Sequence, residues 1–167
     1  RCACSEPMPR ATCSMGTTSS APMANAIGAD HSCGWYSRLP KLITGEHLGA
    51  FGLTEPSAGT DAAMQKTVAE DKGDHYLING SKIFITNGVY GDLYFVAAKT
   101  DPSAKGSRGI SMFIVEKGTP GFSVGRSLKK HGWRSSDTAE LFFDNVRVPA
   151  ANLLGEENQG FYAVMKK

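Results

Sequence analysis

Residues 75–88 read His75-Tyr-Leu-Ile-Asn-Gly-Ser-Lys-Ile-Phe-Ile-Thr-Asn-Gly88, and this stretch decides the fold class. His75–Ile78 reads as a short strand, and Asn79-Gly80 is the dipeptide signal of a two-residue hairpin turn. Lys82–Thr86 is then the return strand, closed by Asn87-Gly88. Side chains two apart on a strand share a face, so Phe84 and Thr86 are expected to point the same way. An aromatic ring beside a hydroxyl can cover a planar ligand and hydrogen-bond its edge.

The period of two extends in both directions. Upstream, Ala50–Thr54 and Gln65–Glu70 read as strands, the second alternating like a half-exposed antiparallel strand, with Asp71-Lys-Gly-Asp74 as a turn. Downstream come Leu93–Ala98, Ile110–Val115, Phe122–Val124, Ala139–Phe143 and Val146–Val148, ending at Pro149. About eight short strands separated by Gly, Asp, Asn and Pro turns predict a mainly β fold, a small antiparallel β-barrel or two packed sheets. Leu39, Leu42 and Ile43 have helical spacing, which predicts a short helix with Pro40 in its first turn and Gly45 as C-terminal cap. A second helix is expected from about Gly160 onward. The chain thus divides into an irregular or disordered segment 1–34, a helical end 35–48, the β domain 49–150, and a linker with the start of another helix in 151–167.

Composition narrows the function. Of 167 residues, 20% are charged and the net charge is +2, and the longest basic run is Lys129-Lys130-His131, so no nucleic-acid footprint is expected. No apolar run approaches the ~18 residues needed to span a bilayer, and no signal-peptide pattern is visible. Cys2, Cys4, Cys13 and Cys33 all lie in the first fifth of the chain, and their spacing does not match a zinc knuckle. They read as free thiols, so no metal is expected.

A second segment carries chemistry: Leu53-Thr-Glu-Pro-Ser-Ala-Gly-Thr-Asp61. A strand delivers Thr54, Pro56 stops the ladder, and Ser57-Ala58-Gly59 turns the chain so that backbone N–H groups face outward. With the hydroxyls of Ser57 and Thr60 they form an anion-binding concavity suited to a pyrophosphate. Taken alone, this is an ordinary Pro/Gly turn, and Phe84 alone is an ordinary core aromatic. Glu55, Glu140, Glu156 and Glu157 sit in a turn, a strand and a surface loop, and His47, His75 and His131 at loop or strand-edge positions. None is expected to be a catalytic base.

In order, however, Thr54–Asp61, Ile78–Gly88, Asp137-Thr-Ala-Glu-Leu-Phe-Phe143, Val148-Pro149 and Leu153-Leu-Gly155 resemble the middle domain of the acyl-CoA dehydrogenases, over about Leu39 to Lys167. The long-chain type looks most similar. The resemblance implies FAD as cofactor, held by Phe51, Gly52, Leu53, Thr54, Glu55, Pro56, Ser57, Ala58, Gly59 and Thr60 and by Phe84, Ile85 and Thr86. Thr54 would serve the pyrimidine edge of the flavin, Thr86 the region of N5, and Phe84 the outer face of the ring. Thr60, where the family usually has serine, and Ser107 would contact the acyl-CoA substrate. The resemblance further implies α,β-dehydrogenation of acyl-CoA thioesters, with a glutamate base outside this segment and none within it. Other implications are electron-transfer flavoprotein as acceptor, a homotetrameric parent, and the bacterial cytoplasm or mitochondrial matrix as location. An acyl-CoA oxidase or a non-catalytic β-barrel binding module would share the scaffold.

Overall fold

The computed structural model describes residues 38–165. The four cysteines, the irregular reading of residues 1–34, Trp35 and the final two lysines lie outside the described residues. Helix α1 spans Leu39–Thr44, with Pro40 in its first turn and Gly45 in the left-handed region (φ +76°), where its N–H donates to the Leu42 carbonyl. Strands follow at Gly49–Gly52 (β1), Val68–Asp71 (β2), His75–Thr86 (β3), Leu93–Lys99 (β4), Ile110–Glu116 (β5), Phe122–Val124 (β6), Thr138–Pro149 (β7) and Leu153–Leu154 (β8). Helix α2 spans Gly160–Met165.

The mainly β expectation holds, but the sheet is neither closed nor wholly antiparallel. Its order is β6-β7-β3-β2-β4-β5-β8, with β1 also on β4. Both β1 and β2 run parallel to β4: Gly52 lies opposite Val96, and Val68 opposite Lys99. The chain therefore leaves the β4 edge after Gly52 and rejoins it at Val68, throwing residues 53–67 out of the sheet. The open sheet also curls over itself. Tyr94 on β4 meets Phe122 on β6 with ring centroids 4.6 Å apart, and Tyr76 on β3 meets Phe113 on β5 at 4.8 Å. Neither pair belongs to adjacent strands. These rings join Ile78, Ile85, Val96, Leu141, Phe143 and Val146 in one buried cluster, the apolar face whose burial drives the curl. Every residue from Ile110 to Val115 is buried, because Leu154 and Phe161 pack over the outer side of β5 around Met112.

Three expectations need correction. Asn79-Gly80 is not a hairpin turn: β3 runs unbroken through it, and the hairpin lies earlier, where Lys72 N–H donates to the His75 carbonyl (2.9 Å) and joins β2 to β3. The Asn-Gly signal marks a bulge instead. Pairing jumps from Ile78–Val146 to Gly80–Phe143, and the extra residue lies on β7. There Asn145 (φ +50°) donates its N–H to the Asn79 side chain at 2.8 Å. For the same reason Ala139–Phe143 and Val146–Val148 are one long strand. Finally, β2 starts at Val68 rather than Gln65, because the amides of Lys66 and Thr67 donate to the Glu55 carboxylate instead of to a ladder (2.5 and 2.9 Å).

Candidate functional site

The excursion 53–67 is shaped by a small number of bonds. Glu55 and Ala58 exchange backbone hydrogen bonds (3.0 and 3.1 Å), which makes a tight loop with Pro56 and Ser57 at its exposed tip. Asp61 then caps a short 3-10 turn, Ala62–Met64, by accepting from Ala63 N–H at 3.2 Å. Between these anchors the backbone N–H groups of Ser57, Gly59 and Thr60 find no acceptor among the described residues, and neither do the hydroxyls of Ser57 and Thr60. All three residues are exposed. Solvent-facing, unpartnered donors on one loop are what an anion-binding concavity requires.

The loop is fastened to β3. Ile83 N–H donates to the Thr54 carbonyl at 2.9 Å, and beyond it β3 carries a second irregularity. Pairing jumps from Lys82–Leu141 to Ile85–Ala139, so the extra residue is now on β3. Phe84 takes a left-handed conformation (φ +60°) and is 64% exposed. That is an uncommon conformation for a bulky residue. Plain alternation would place Phe84 on the inward side with Lys82. The bulge reverses the phase, so Phe84 and Thr86 both face out while Ile85 enters the core. The hydroxyl of Thr86 has no partner among the described residues.

Past Thr86 the chain is braced on three sides. Asn87 donates its amide to the Gly49 carbonyl (3.0 Å), Asp137 accepts from Val89 N–H (2.7 Å), and the Tyr94 hydroxyl lies within reach of the carbonyls of Gly88 and Gly91 (3.0 and 2.9 Å). Burial, with the carboxylates of Asp92 and Asp137 nearby, pushes the Tyr94 phenol up to about 12, so it stays a neutral donor. Ser107 is half-buried in the 3-10 turn Gly106–Gly109, which packs against Ala62–Met64 and so lies beside the segment that follows Thr60.

The thirteen cofactor candidates thus separate by orientation. Phe51, Pro56, Ser57, Gly59, Thr60, Phe84 and Thr86 are exposed, and Leu53 and Thr54 are half-buried. Gly52, Ala58 and Ile85 are buried, as is Glu55, only 4% exposed. The Glu55 side chain is turned inward, away from the open loop face, onto Lys82.

Lys82 is the residue that sequence reasoning missed. It is 0% exposed and donates to Glu55 Oε1 (2.9 Å), Gln65 Oε1 (2.7 Å) and the Leu53 carbonyl (3.2 Å). Burial pushes its ammonium down to about 8, against the pull of the Glu55 carboxylate. Burial pushes the Glu55 carboxyl up, but bonds from Lys66, Thr67 and Lys82 outweigh it and the net direction is down. The available signal was phase: Lys82 follows Tyr76 and Ile78 on the inward face of the strand, where a lysine is out of place unless paired.

Among the described residues, no group of three or more His, Cys, Asp and Glu side chains could hold a metal, and no helix is long and apolar enough to cross a membrane.

Residues 50–146 match the family profile described as "Acyl-CoA dehydrogenase, middle domain". The chain belongs to the acyl-CoA dehydrogenase family. Members of this family are FAD-dependent flavoproteins. Mitochondrial isovaleryl-CoA dehydrogenase of Pongo abelii is 55% identical over 128 residues, covering 76% of this chain and 30% of the relative. The structure of an acyl-CoA dehydrogenase from Geobacillus kaustophilus superposes with a TM-score of 0.76 at 55% identity, over 78% of this chain and 35% of that one. A chain in the structure of the electron transferring flavoprotein of Acidaminococcus fermentans gives 0.75 at 56% identity, over 77% and 34%. The long-chain enzyme of Rattus norvegicus is 48% identical over 77% of this chain and 30% of its own, so identity does not single out the long-chain type. The chain spans about a third of the length of these relatives.

Proposed function

We propose that this chain is the flavin-holding middle segment of an acyl-CoA dehydrogenase acting on acyl-CoA thioesters. One observation carries the reading. The free donors of Ser57, Gly59 and Thr60 and the outward pair Phe84 and Thr86 sit on two segments tied together by the Ile83 N–H to Thr54 carbonyl bond. The donors suit a pyrophosphate. Phe84, lifted out of the sheet by its bulge, offers an aromatic face to a planar ring, and the Thr86 hydroxyl lies on the same side of β3 to bond that ring's edge. This donor set fits FAD. When bound, the flavin supplies an acceptor for the hydride that leaves the β-carbon of the acyl group.

The chain's own residues would bind, orient and exclude water. Thr54 serves the pyrimidine edge, Thr86 donates toward the reactive end of the ring, and Thr60 and Ser107 reach the acyl-CoA. Fixed donors of this kind stabilise developing charge without reorganising. The Glu55 carboxylate is committed to Lys82 and two backbone amides, so it is no base for the α-proton. That base belongs to a part of the enzyme outside this segment. Electron-transfer flavoprotein as acceptor, a homotetrameric assembly, and the mitochondrial matrix or bacterial cytoplasm complete the reading. Relatives named as mitochondrial and bacterial enzymes support the locations and the Acidaminococcus structure supports the acceptor, while the homotetramer rests on the family resemblance alone.

The test is a chimera in which residues 39–165 replace the matched stretch of Bacillus subtilis acyl-CoA dehydrogenase, 55% identical. It should retain flavin through gel filtration and be bleached by acyl-CoA without oxygen. Thr86→Val should slow bleaching more than it weakens flavin retention. A folded chimera that holds no flavin would overturn the proposal, and rapid oxygen consumption would make the chain part of an oxidase instead.

A further inference from the structure

The excursion 53–67 leaves and rejoins one strand, and its two ends meet on a single side chain. Lys82 Nζ has three protons and three acceptors: the Leu53 carbonyl and Glu55 Oε1 at the departing end, Gln65 Oε1 at the returning end. Glu55 closes the circuit by accepting from the amides of Lys66 and Thr67, also at the returning end. Lys82 itself belongs to β3, two residues before Phe84 and four before Thr86. One ammonium therefore connects both ends of the loop that presents the free donors to the strand that presents the aromatic and the hydroxyl.

A charge there is not what packing calls for. Its inward companions on β3 are Tyr76, Ile78 and Ile85, all in the apolar core, and apolar groups of similar volume commonly replace a buried ion pair without loss of stability. What an apolar side chain cannot do is fix direction, because dispersion contacts are non-directional while each of these bonds has a defined donor and acceptor.

We propose that Lys82, with Glu55 and Gln65, is the positioning residue of the cofactor site, setting the separation and tilt of the loop relative to Phe84 and Thr86. The inference rests on the flavin-holding reading for what is positioned, and on bond geometry alone for how. All three side chains are buried behind the open face that carries the free donors, so they would act on its geometry rather than on the ligand.

The decisive variant is Glu55→Gln/Lys82→Met. It removes both charges, leaves the volume nearly unchanged, and keeps one side-chain carbonyl that can accept from the Lys66 or the Thr67 amide, though not from both. In the full 167-residue chain without cofactor, amide hydrogen exchange should accelerate about tenfold or more at Glu55, Ala58, Thr67 and Ile83, the factor for losing one hydrogen bond to a charged group. Ile110–Val115 on β5 should stay as protected as before. Uniform acceleration, or none, would sink the proposal. In the Bacillus chimera the same variant should bind FAD about tenfold or more weakly and alter the flavin's visible circular dichroism, with the melting temperature of the apoprotein unchanged. Unchanged affinity in a variant whose loop exchanges faster would equally overturn it. If the unsubstituted chimera binds no FAD, the flavin reading fails on its own, and the exchange pattern still decides whether Lys82 positions the loop.

Discussion

A lysine ammonium buried against one carboxylate and two neutral oxygens leaves a mark on the pH dependence of stability. Lys82 is lowered by burial to about 8 in the folded chain, while in the unfolded chain it titrates near the ordinary lysine value of roughly 10.4. Below about pH 8 both states are protonated, and the folded state bears the full cost of the buried charge. Between about pH 8 and 10.4 the unfolded state binds more protons, so stability rises with pH across that window. Urea titrations of the wild type and of Lys82→Met should therefore diverge there, the wild type gaining up to about 3 kcal/mol on the variant. Parallel curves would show that the ammonium is better solvated than the fold implies. Glu55 works in the opposite window: its folded value is depressed, so its contribution is present at neutral pH and lost as the pH falls through the acid range. Tyr94 gives a neutral counterpart. Its hydroxyl serves the carbonyls of Gly88 and Gly91 behind Thr86, and Tyr94→Phe strips a buried donor without altering the ring. The expected loss is about 1–2 kcal/mol in equilibrium urea unfolding, with local rather than global change in the amides of residues 87–92.

At the scale of elements, paired irregularities aim the site. The first bulge, on β7 opposite Asn79, and the second, on β3 at Phe84, offset each other's register, so β3 and β7 stay paired to both ends while one segment between them is rotated. Gly80 is central to the first. Its φ is +147°, and a Cβ there would lie 2.5–2.8 Å from the backbone and side chain of Thr67. Gly80→Ala should cost about 2 kcal/mol or more, strain and clash together, measured by thermal unfolding, and should loosen Thr67 with it. A near-neutral result would mean β2 can move aside at no cost. The same bulges explain what the sequence concealed. Asn79-Gly80 carries one local signal for two outcomes, since a turn and a bulge both need a glycine free to leave the extended region. Only the distant Asn145, paired with Asn79, separates them. Strands such as Leu93–Ala98, a continuous apolar run, and Phe122–Val124, an alternating one, were legible because such runs and their flanking turns are local. The excursion's shape was not, because Glu55, Gln65 and Lys82 are far apart in sequence and meet only after the sheet forms. Motif order named the half-buried Thr54 and the exposed residues 60, 84 and 86, but alternation alone would have kept Lys82 on the face of 84 and 86.

At the scale of the whole molecule, the candidate site is a wall with no second wall facing it among the described residues. Phe51, Phe84 and Tyr90 are exposed on or beside the segments that carry the candidate site, and Ile43 and Leu48 are exposed near the start of β1. Single exposed apolar residues are ordinary on proteins, but aromatic groups gathered around a ligand site mark a surface that another body covers. The chain corresponds to about a third of its relatives' length, and the flavin-holding reading assigns the remaining walls of the site to the other two thirds. Small-molecule sites typically enclose about 70–90% of their ligand. On that reading, a loop of donors and one aromatic face would contact a dinucleotide from one side only and would leave much of it in water. Micromolar affinity requires about 8 kcal/mol net, after the cost of immobilising the ligand has been met, and one-sided contact is too little for that. The 167-residue chain alone should accordingly bind FAD with Kd weaker than about 10 μM by fluorescence quenching, and sedimentation velocity should show self-association that Phe84→Ser reduces. The Bacillus chimera, with both sides of the site in place, should hold the cofactor through gel filtration. Tight binding by the isolated chain would show that the curled sheet encloses the flavin without help, and its exposed aromatics would then need no covering body to explain them.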